Sequence, residues 1–453
     1  MLTVATTAMA GGILTNTNQS IDFLRNPARD AAIGLDGVYS NPAGVAFMPE
    51  GFHLGINWQY AHQTRTINST NPVFALGKKN MGQITKTYEG VADAPFIPSL
   101  QAAYNKDKWS IQFNFSVPGG GGKCEYDNGL GSFEGAVGAI AAGLSQLPDP
   151  LKVTRYDMDG FMEGRQYYFG FQLGAAYKIY DNLSVYGGLR LLYGNATYRA
   201  RISNIMVETN GVWEDFGSYL EKAAEAVPSL NTYQMYSNGV NLLCNQSGVG
   251  VAPIFGIDYK IGRFNFAAKY EFRTPVHMKN ESTVNTITTL AAVNKYHDGA
   301  EVPEDAPALL TVGAQWSPID QVRLNAGWHY YFDKDASWYN DAQRELSHNS
   351  YEFLAGAEWD VSDRLTVSCG AQLTRYGNTD EYINDMSFVV NSYSIGLGLN
   401  YKVTDKVKVK AAYFQTTYTD YSRYQTSELT GLPVSDSFTR SNRVIGIGCD
   451  IDF

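Results

Sequence analysis

Tyr167-Tyr-Phe-Gly-Phe-Gln-Leu-Gly-Ala-Ala-Tyr-Lys-Ile179 decides the fold. Phe169, Phe171, Leu173, Ala175, Tyr177 and Ile179 fall on one parity, and Tyr168, Gly170, Gln172, Gly174, Ala176 and Lys178 on the other. That period of two belongs to a strand. After Tyr180-Asp-Asn182 the alternation resumes, with Leu183, Val185, Gly187, Leu189, Leu191 and Tyr193 against Ser184, Tyr186, Gly188 and Arg190, so the two runs read as a hairpin.

The same grammar recurs around turns near Asn105-Lys-Asp107, Lys260-Ile-Gly262, Pro318-Ile-Asp320, Val361-Ser-Asp363 and Thr404-Asp405, where Asp, Asn, Gly and Pro supply the turn geometry. Tyr104, Tyr177, Tyr259, Trp316, Trp359 and Tyr401 each precede one of the six turns on the apolar parity, which predicts an interfacial aromatic girdle. A soluble sandwich also alternates, but nothing makes it place an aromatic at the same point of every second strand. Short turns alternating with long polar loops predict an all-β transmembrane antiparallel barrel of about 14 strands. Their expected starts are Gly51, Phe96, Lys108, Gln166, Leu183, Ser247, Arg263, Ala306, Gln321, Ser350, Arg364, Ser392, Lys406 and Thr439. Ile445, Ile447, Cys449, Ile451 and the terminal Phe453 share one parity of the last strand, and an aromatic end of this kind resembles the signal read by outer-membrane assembly machinery.

Composition agrees with a barrel. The 453 residues include 44 Gly, 31 Tyr and 22 Phe, with only 18% charged, against about a quarter in soluble domains. Mean hydropathy is −0.25, and no run of about 18 apolar residues offers a spanning helix. A closed sheet needs apolar residues only at alternate positions, because its backbone groups pair internally. The net charge of −10, with no basic stripe, excludes a nucleic-acid partner.

Residues that carry chemistry are sparse. His53, His62, His277, His297, His329 and His348 show no metal-ligand spacing, so no metal or other cofactor is expected. Gly119-Gly-Gly-Gly-Lys123 lacks the Ser or Thr after its Lys and the Gly at position 117 of a phosphate loop. Gly396-Leu-Gly398 lies inside a strand, where small lumen-facing residues are expected, and is no dinucleotide fingerprint. His329, the best lumen-facing candidate for a hydrolase base, has no local partner, so the chain does not read as an enzyme. Cys369 and Cys449 fall on lipid-facing positions, while Cys124 and Cys244 are assigned to outer loops, where a bridge stays open. Ser132 to Leu147 and Trp213 to Val227 carry apolar residues at helical spacing and predict short helices in extracellular loops, either closing the rim or touching a ligand.

Ahead of the first strand the alternation is missing. Residues 1–10 end in Ala8-Met9-Ala10 and read as a residual signal peptide without its basic region, with the mature chain beginning near Gly11. Residues 11–50 contain Asn26-Pro-Ala28 and Asn41-Pro-Ala43, and Ile33, Leu35, Val38, Val45, Phe47 and Met48 need burial, which predicts a plug inside the barrel formed by residues 51–453.

Asp36-Gly-Val-Tyr-Ser-Asn-Pro-Ala-Gly44 resembles the hatch motif of the FadL family of outer-membrane transporters for long-chain fatty acids and other hydrophobic compounds. Gly12-Ile-Leu-Thr-Asn-Thr-Asn-Gln-Ser20 and Phe23-Leu-Arg-Asn-Pro-Ala-Arg29 resemble a branch of that family apart from its best-known members. The resemblance implies passive uptake of a hydrophobic small molecule in the outer membrane of a Gram-negative bacterium, gated by a hatch carrying Asp36, Tyr39, Asn41, Pro42 and Ala43, with the cargo leaving sideways into outer-membrane lipid. Such an exit needs a break in strand pairing; Pro253 marks one place, and Pro118 with Gly119 marks another, which the resemblance favours. Two rival readings are a barrel kept as a structural or assembly partner of other outer-membrane proteins, and haem uptake.

Overall fold

In the computed structural model, residue 14, residues 20–285 and residues 295–453 are described. The expected signal peptide and its boundary at Gly11 lie outside the described residues. Fourteen strands close into one antiparallel barrel: β1 Gly51–Thr70, β2 Thr85–Lys106, β3 Trp109–Tyr126, β4 Val153–Tyr180, β5 Leu183–Thr209, β6 Val240–Ile261 and β7 Phe264–Glu271. The remaining seven are β8 Leu309–Ile319, β9 Val322–Tyr331, β10 Tyr351–Asp360, β11 Leu365–Arg375, β12 Ser392–Lys402, β13 Val407–Tyr418 and β14 Pro433–Asp452. Closure runs from His53↔Asp452 to Thr70↔Ser435 between β1 and β14, which removes the free sheet edge.

The barrel is inside-out. On β4, Leu173 is 62% exposed and its neighbour Gln172 is fully buried, the arrangement a lipid solvent demands. Tyr104, Tyr177, Tyr259, Trp316, Trp359 and Tyr401 ring the short-turn end on the outward face, with Trp109 tilted against Tyr177 at 4.7 Å and Phe264 stacked on Trp316 at 6.0 Å. At that end Asp107 and Gly262 take φ of +53° and +57°, turn positions that suit a short Asp side chain or none.

Several strands start earlier than the alternation predicts: β2 at Thr85 instead of Phe96, β4 at Val153 instead of Gln166, β6 at Val240 instead of Ser247 and β14 at Pro433 instead of Thr439. Their upper ends rise past the bilayer as ribbons, where the outer face meets water and the apolar parity is no longer required. Short strands at Val212–Asp215, His277–Asn285, Glu301–Pro303 and Tyr421–Thr426 extend these ribbons. Two loop helices, α3 Gly131–Leu144 and α4 Phe216–Ala226, fall where helical spacing placed them. Val137, Ala141 and Leu144 of α3 pack with Tyr156, Ile202, Val207 and with Phe216, Leu220 and Ala223 of α4, so the loops carry a core of their own.

The cysteine assignment needs correction. Cys124 lies on β3 and Cys244 on β6, not in loops, and all four thiols are free. Cys124 pairs with Gly164, Gly164 with Tyr198, and Tyr198 with Cys244. Three strand spacings, roughly 14 Å, therefore separate the two, about twice the Cα reach of a disulfide.

Candidate functional site: an occupied lumen and a gap in its wall

Residues 20–50 fold inside the barrel as short helices joined by tight turns. Ser20 caps helix α1 (Ile21–Arg25) by accepting from the Phe23 amide at 3.2 Å, and Asn26 ends it, its side chain accepting from the Ala28 amide at 3.2 Å. A track of glycines across the wall lets this backbone come close. A Cβ on Gly356 would stand 2.0 Å from the Asn26 side chain, and one on Gly396 2.2 Å from the Leu24 carbonyl. Gly356, Gly370 and Gly396 are direct cross-strand neighbours, so the small lumen-facing positions expected around Gly396 belong to a continuous groove.

Charges fix the segment over that groove. Arg29 grips Asp36 through two bonds of 2.8 and 2.9 Å and reaches Glu358 of β10 at 2.9 Å; Arg25 meets the same carboxylate at 2.8 Å. Asp22 pairs with Arg25 and with Lys410 of β13, which also holds Asp450. Burial works against the Asp22 charge, but Lys410, Arg25 and Arg29 outweigh it and hold the carboxyl far below the usual range. These partners lie hundreds of residues away in sequence and left no local signal.

The Asn-Pro-Ala turn is held from the opposite wall. Asn41 donates to Asp258 of β6 at 2.6 Å, the Pro42 carbonyl accepts from Gln112 at 2.8 Å, and the Ala43 carbonyl accepts from Ser184 at 2.5 Å. Helix α2 (Gly37–Ser40) follows Asp36. Its Tyr39 carbonyl accepts from Lys269 at 2.8 Å, and its ring lies 4.7 Å from the Arg190 guanidinium and 4.8 Å from the Lys269 ammonium. Asp36, Tyr39, Asn41, Pro42 and Ala43 thus come together as one wall-bound turn.

Above Tyr39 a cavity of about 40 Å³ is lined by Phe23, Asp30, Tyr39, Leu309, His329 and Tyr331. His329 sits between Asp30 and Glu352, 2.9 Å from each. Neither partner was recognisable from sequence. Tyr88, Tyr126, Tyr168, Tyr198, Tyr296, Tyr331 and Trp338 continue an apolar and aromatic lining toward the loops. A cavity that admits benzene needs about 150 Å³, so passage of even a small aromatic requires this packing to move.

Next to the lumen the wall is broken. The β2–β3 ladder pairs Ala92↔Cys124 and resumes only at Leu100↔Phe115, so residues 93–99 and 116–123 do not pair with each other over about 20 Å, although β1 and β4 still pair with them from the other side. Pro118 and Gly119 lie in this stretch, and the β3–β4 register slips between Ser116 and Gly119 and again between Gly120 and Gly122. On the β2 side stand Pro95 and Pro98, which have no amide hydrogen to give; a strand read from Phe96 onward contains the second and leaves out the first. Phe96 at the gap is 69% exposed.

Pro253 marks a different situation. β6 pairs with the following chain at Ser247↔Lys279 and at Ile254↔Glu271, so pairing also lapses between them. Here the backbone itself fills the space: a Cβ on Gly250 would stand 2.2 Å from the Pro275 carbonyl, and one on Gly248 2.5 Å from that of His277.

No family model matches the sequence, and no curated protein matches it. Solved structures share the fold. A Pseudomonas aeruginosa FadL homologue superposes with a TM-score of 0.67 at 12% identity, covering 97% of this chain and 99% of its own. The toluene transporter TodX of P. putida gives 0.57 at 14% identity, with 99% and 98% covered. The Ralstonia pickettii toluene transporter TbuX gives 0.52 at 14%, again with 99% and 98% covered.

Proposed function

We propose that this chain is a FadL-type outer-membrane transporter of a Gram-negative bacterium that takes up hydrophobic small molecules passively, with residues 11–50 as the hatch. The observation that carries the reading is the β2–β3 gap beside an aromatic-lined, plugged lumen. A barrel kept only for structure or assembly gains nothing from a ladder left open over about 20 Å, where unmet backbone groups cost stability.

The path follows from solvation. Below Tyr39 the lumen is closed by the Asp22, Arg25, Arg29, Glu358 and Lys410 network, a poor medium for a greasy cargo. Each methylene moved from water to an apolar phase gains about 0.8 kcal/mol, so a cargo reaching the gap prefers lipid. Access through the loops, displacement of the hatch around Asn41-Pro42-Ala43 and departure between β2 and β3 need no energy source. The P. aeruginosa relative supports a FadL-like cargo and the toluene transporters a monoaromatic one; both are apolar. Haem is disfavoured because both ring nitrogens of His329 are already engaged.

The test is uptake of radiolabelled toluene and decanoate by cells lacking their own transporters, with and without this chain. Faster uptake of either supports the reading; equal uptake of both compounds with and without it contradicts it.

A further inference from the structure

The outer face of β4 and β5 changes character toward the loops. On β4 the outward parity runs through Leu173, Phe171, Phe169 and Tyr167 and continues without a register shift to Arg165 and Glu163. On β5 it runs through Leu189, Leu191 and Tyr193 to Arg199 and Arg201, both exposed. Phe169 stacks 6.1 Å from Tyr167 and 6.3 Å from Tyr193, so these rings form the upper counterpart of the girdle at the short turns.

Height fixes what this face meets. Tyr177 and Tyr167 are ten residues apart on β4. At about 3.4 Å per residue and a tilt of about 40°, that is about 26 Å along the membrane normal, the height of an apolar band. Arg165 therefore stands about 5 Å above the hydrocarbon, at the level of lipid headgroups.

The cations at that level outnumber their partners. Lys123 of β3 stands directly opposite Arg165, and Arg199 directly opposite Glu163. Lys123 pairs with Glu125 at 2.7 Å and with Glu163 at 4.0 Å, and Arg199 meets Glu163 at 3.7 Å. Asp159, higher on β4, is held by Lys79 at 2.7 Å. Arg165 donates to Thr197 Oγ1 at 2.9 Å, and its buried Nε has no acceptor. Arg201 lies 5.9 Å from the Phe161 ring. Neither Arg165 nor Arg201 forms an ion pair with any described residue, and residues 1–13, 15–19 and 286–294 contain no Asp or Glu to supply one. Lys279 and Glu281 on the neighbouring ribbon add one charge of each sign. A chain with a net charge of −10 thus carries a positive surplus at this place on its outer wall.

We propose that Lys123, Arg165, Arg199 and Arg201 bind the phosphate of an anionic lipid in the outer leaflet, whose acyl chains run down the wall over Phe169, Phe171 and Leu173. Guanidinium forks match phosphate oxygens, and a phosphate supplies the acceptor that Arg165 Nε and the counter-charge that Arg201 lack. The site borders the gap. Lys123 ends the stretch of β3 that does not pair with β2, so the bound lipid stands at the upper corner of the opening and its chains flank it. Binding needs only the barrel in its membrane and does not depend on the transport reading.

The probe is bisphosphorylated lipid A, the anionic glycolipid of this leaflet, titrated into the delipidated, detergent-held barrel and followed by native mass spectrometry. The native barrel is expected to bind it at least about tenfold more tightly than the same lipid with its phosphates removed, as charge-assisted bonds require. Arg165→Gln with Arg201→Gln abolishes that preference, and Arg165→Lys with Arg201→Lys keeps most of it. Lys222→Gln with Arg344→Gln removes the same charge from exposed loop positions and leaves binding as in the native barrel. Slower gel migration on heating verifies that each variant is a folded barrel. Equal binding of the two lipids by the native barrel, an undiminished preference in the double Gln variant, or an equal loss in the loop variant overturns the site. Displacement of the lipid by excess inorganic phosphate assigns the cations to free phosphate and overturns the lipid as occupant.

Discussion

The Asn41 side chain donates through Nδ2 to Asp258 Oδ2 at 2.6 Å, tying the Asn-Pro-Ala turn to the inner face of β6. Asn265 donates to the same oxygen at 2.9 Å and to the Ala31 carbonyl at 2.7 Å, so one carboxylate anchors two points of the segment. Asn41→Ala removes one donor to a buried carboxylate and is expected to weaken docking by about 1–3 kcal/mol. Limited proteolysis measures this as faster cleavage after Arg25 and Arg29, with the strands still protected; cleavage as slow as in the native barrel would count against the anchor.

Protonation of the network sets a second expectation. The Asp22 carboxyl is held below its unfolded value by Lys410, Arg25 and Arg29 despite burial, so its contribution is fully present above about pH 4, the unfolded carboxylate range, and is lost only as pH falls through the lowered folded value. The proteolytic protection of residues 20–50 that Asp22→Asn removes from the native barrel should therefore be the same at about pH 5 and at about pH 8. A loss that differs between the two contradicts a carboxyl that stays charged across that window.

Lipid contact is tested at Leu173, exposed on the outer face of β4 between Phe171 and Ala175. Leu173→Arg should destabilise the barrel in lipid by about 2–4 kcal/mol, seen as a lower unfolding midpoint in bilayers of matched thickness. An unchanged midpoint contradicts a bilayer around this strand.

The gap offers its own lock. A Cβ on Gly122 would stand 3.8 Å from Ala94 Cβ across the break, within disulfide range, although φ of +71° at position 122 adds about 1–2 kcal/mol of strain. In A94C/G122C, oxidation should cut delivery of cargo to lipid several-fold and reduction should restore it. Delivery insensitive to oxidation removes the β2–β3 route.

What the sequence revealed and what it hid divide along physical lines. Alternation between Tyr167 and Ile179 is legible because the bilayer demands an apolar residue at each second position; above the bilayer the demand ends, and the upper reaches of β2 and β4 went unread. Asn41-Pro42-Ala43 is legible because a turn former carries its signal locally. Its anchors Asp258, Gln112 and Ser184 do not, since pairing across the lumen leaves no spacing rule. Arg29 and Glu358 are 329 residues apart.

The central claim, that cargo crosses only when the segment around Asn41-Pro42-Ala43 leaves the wall, is tested most directly by a covalent tether. Gly256 of β6 faces Ala43, and a Cβ there would lie 3.7 Å from Ala43 Cβ, close to the mean for a disulfide. Uptake of labelled decanoate or toluene should be measured in cells carrying A43C/G256C, oxidised and then reduced. The account predicts uptake near background when oxidised and recovery on reduction; native uptake through the oxidised barrel would contradict it.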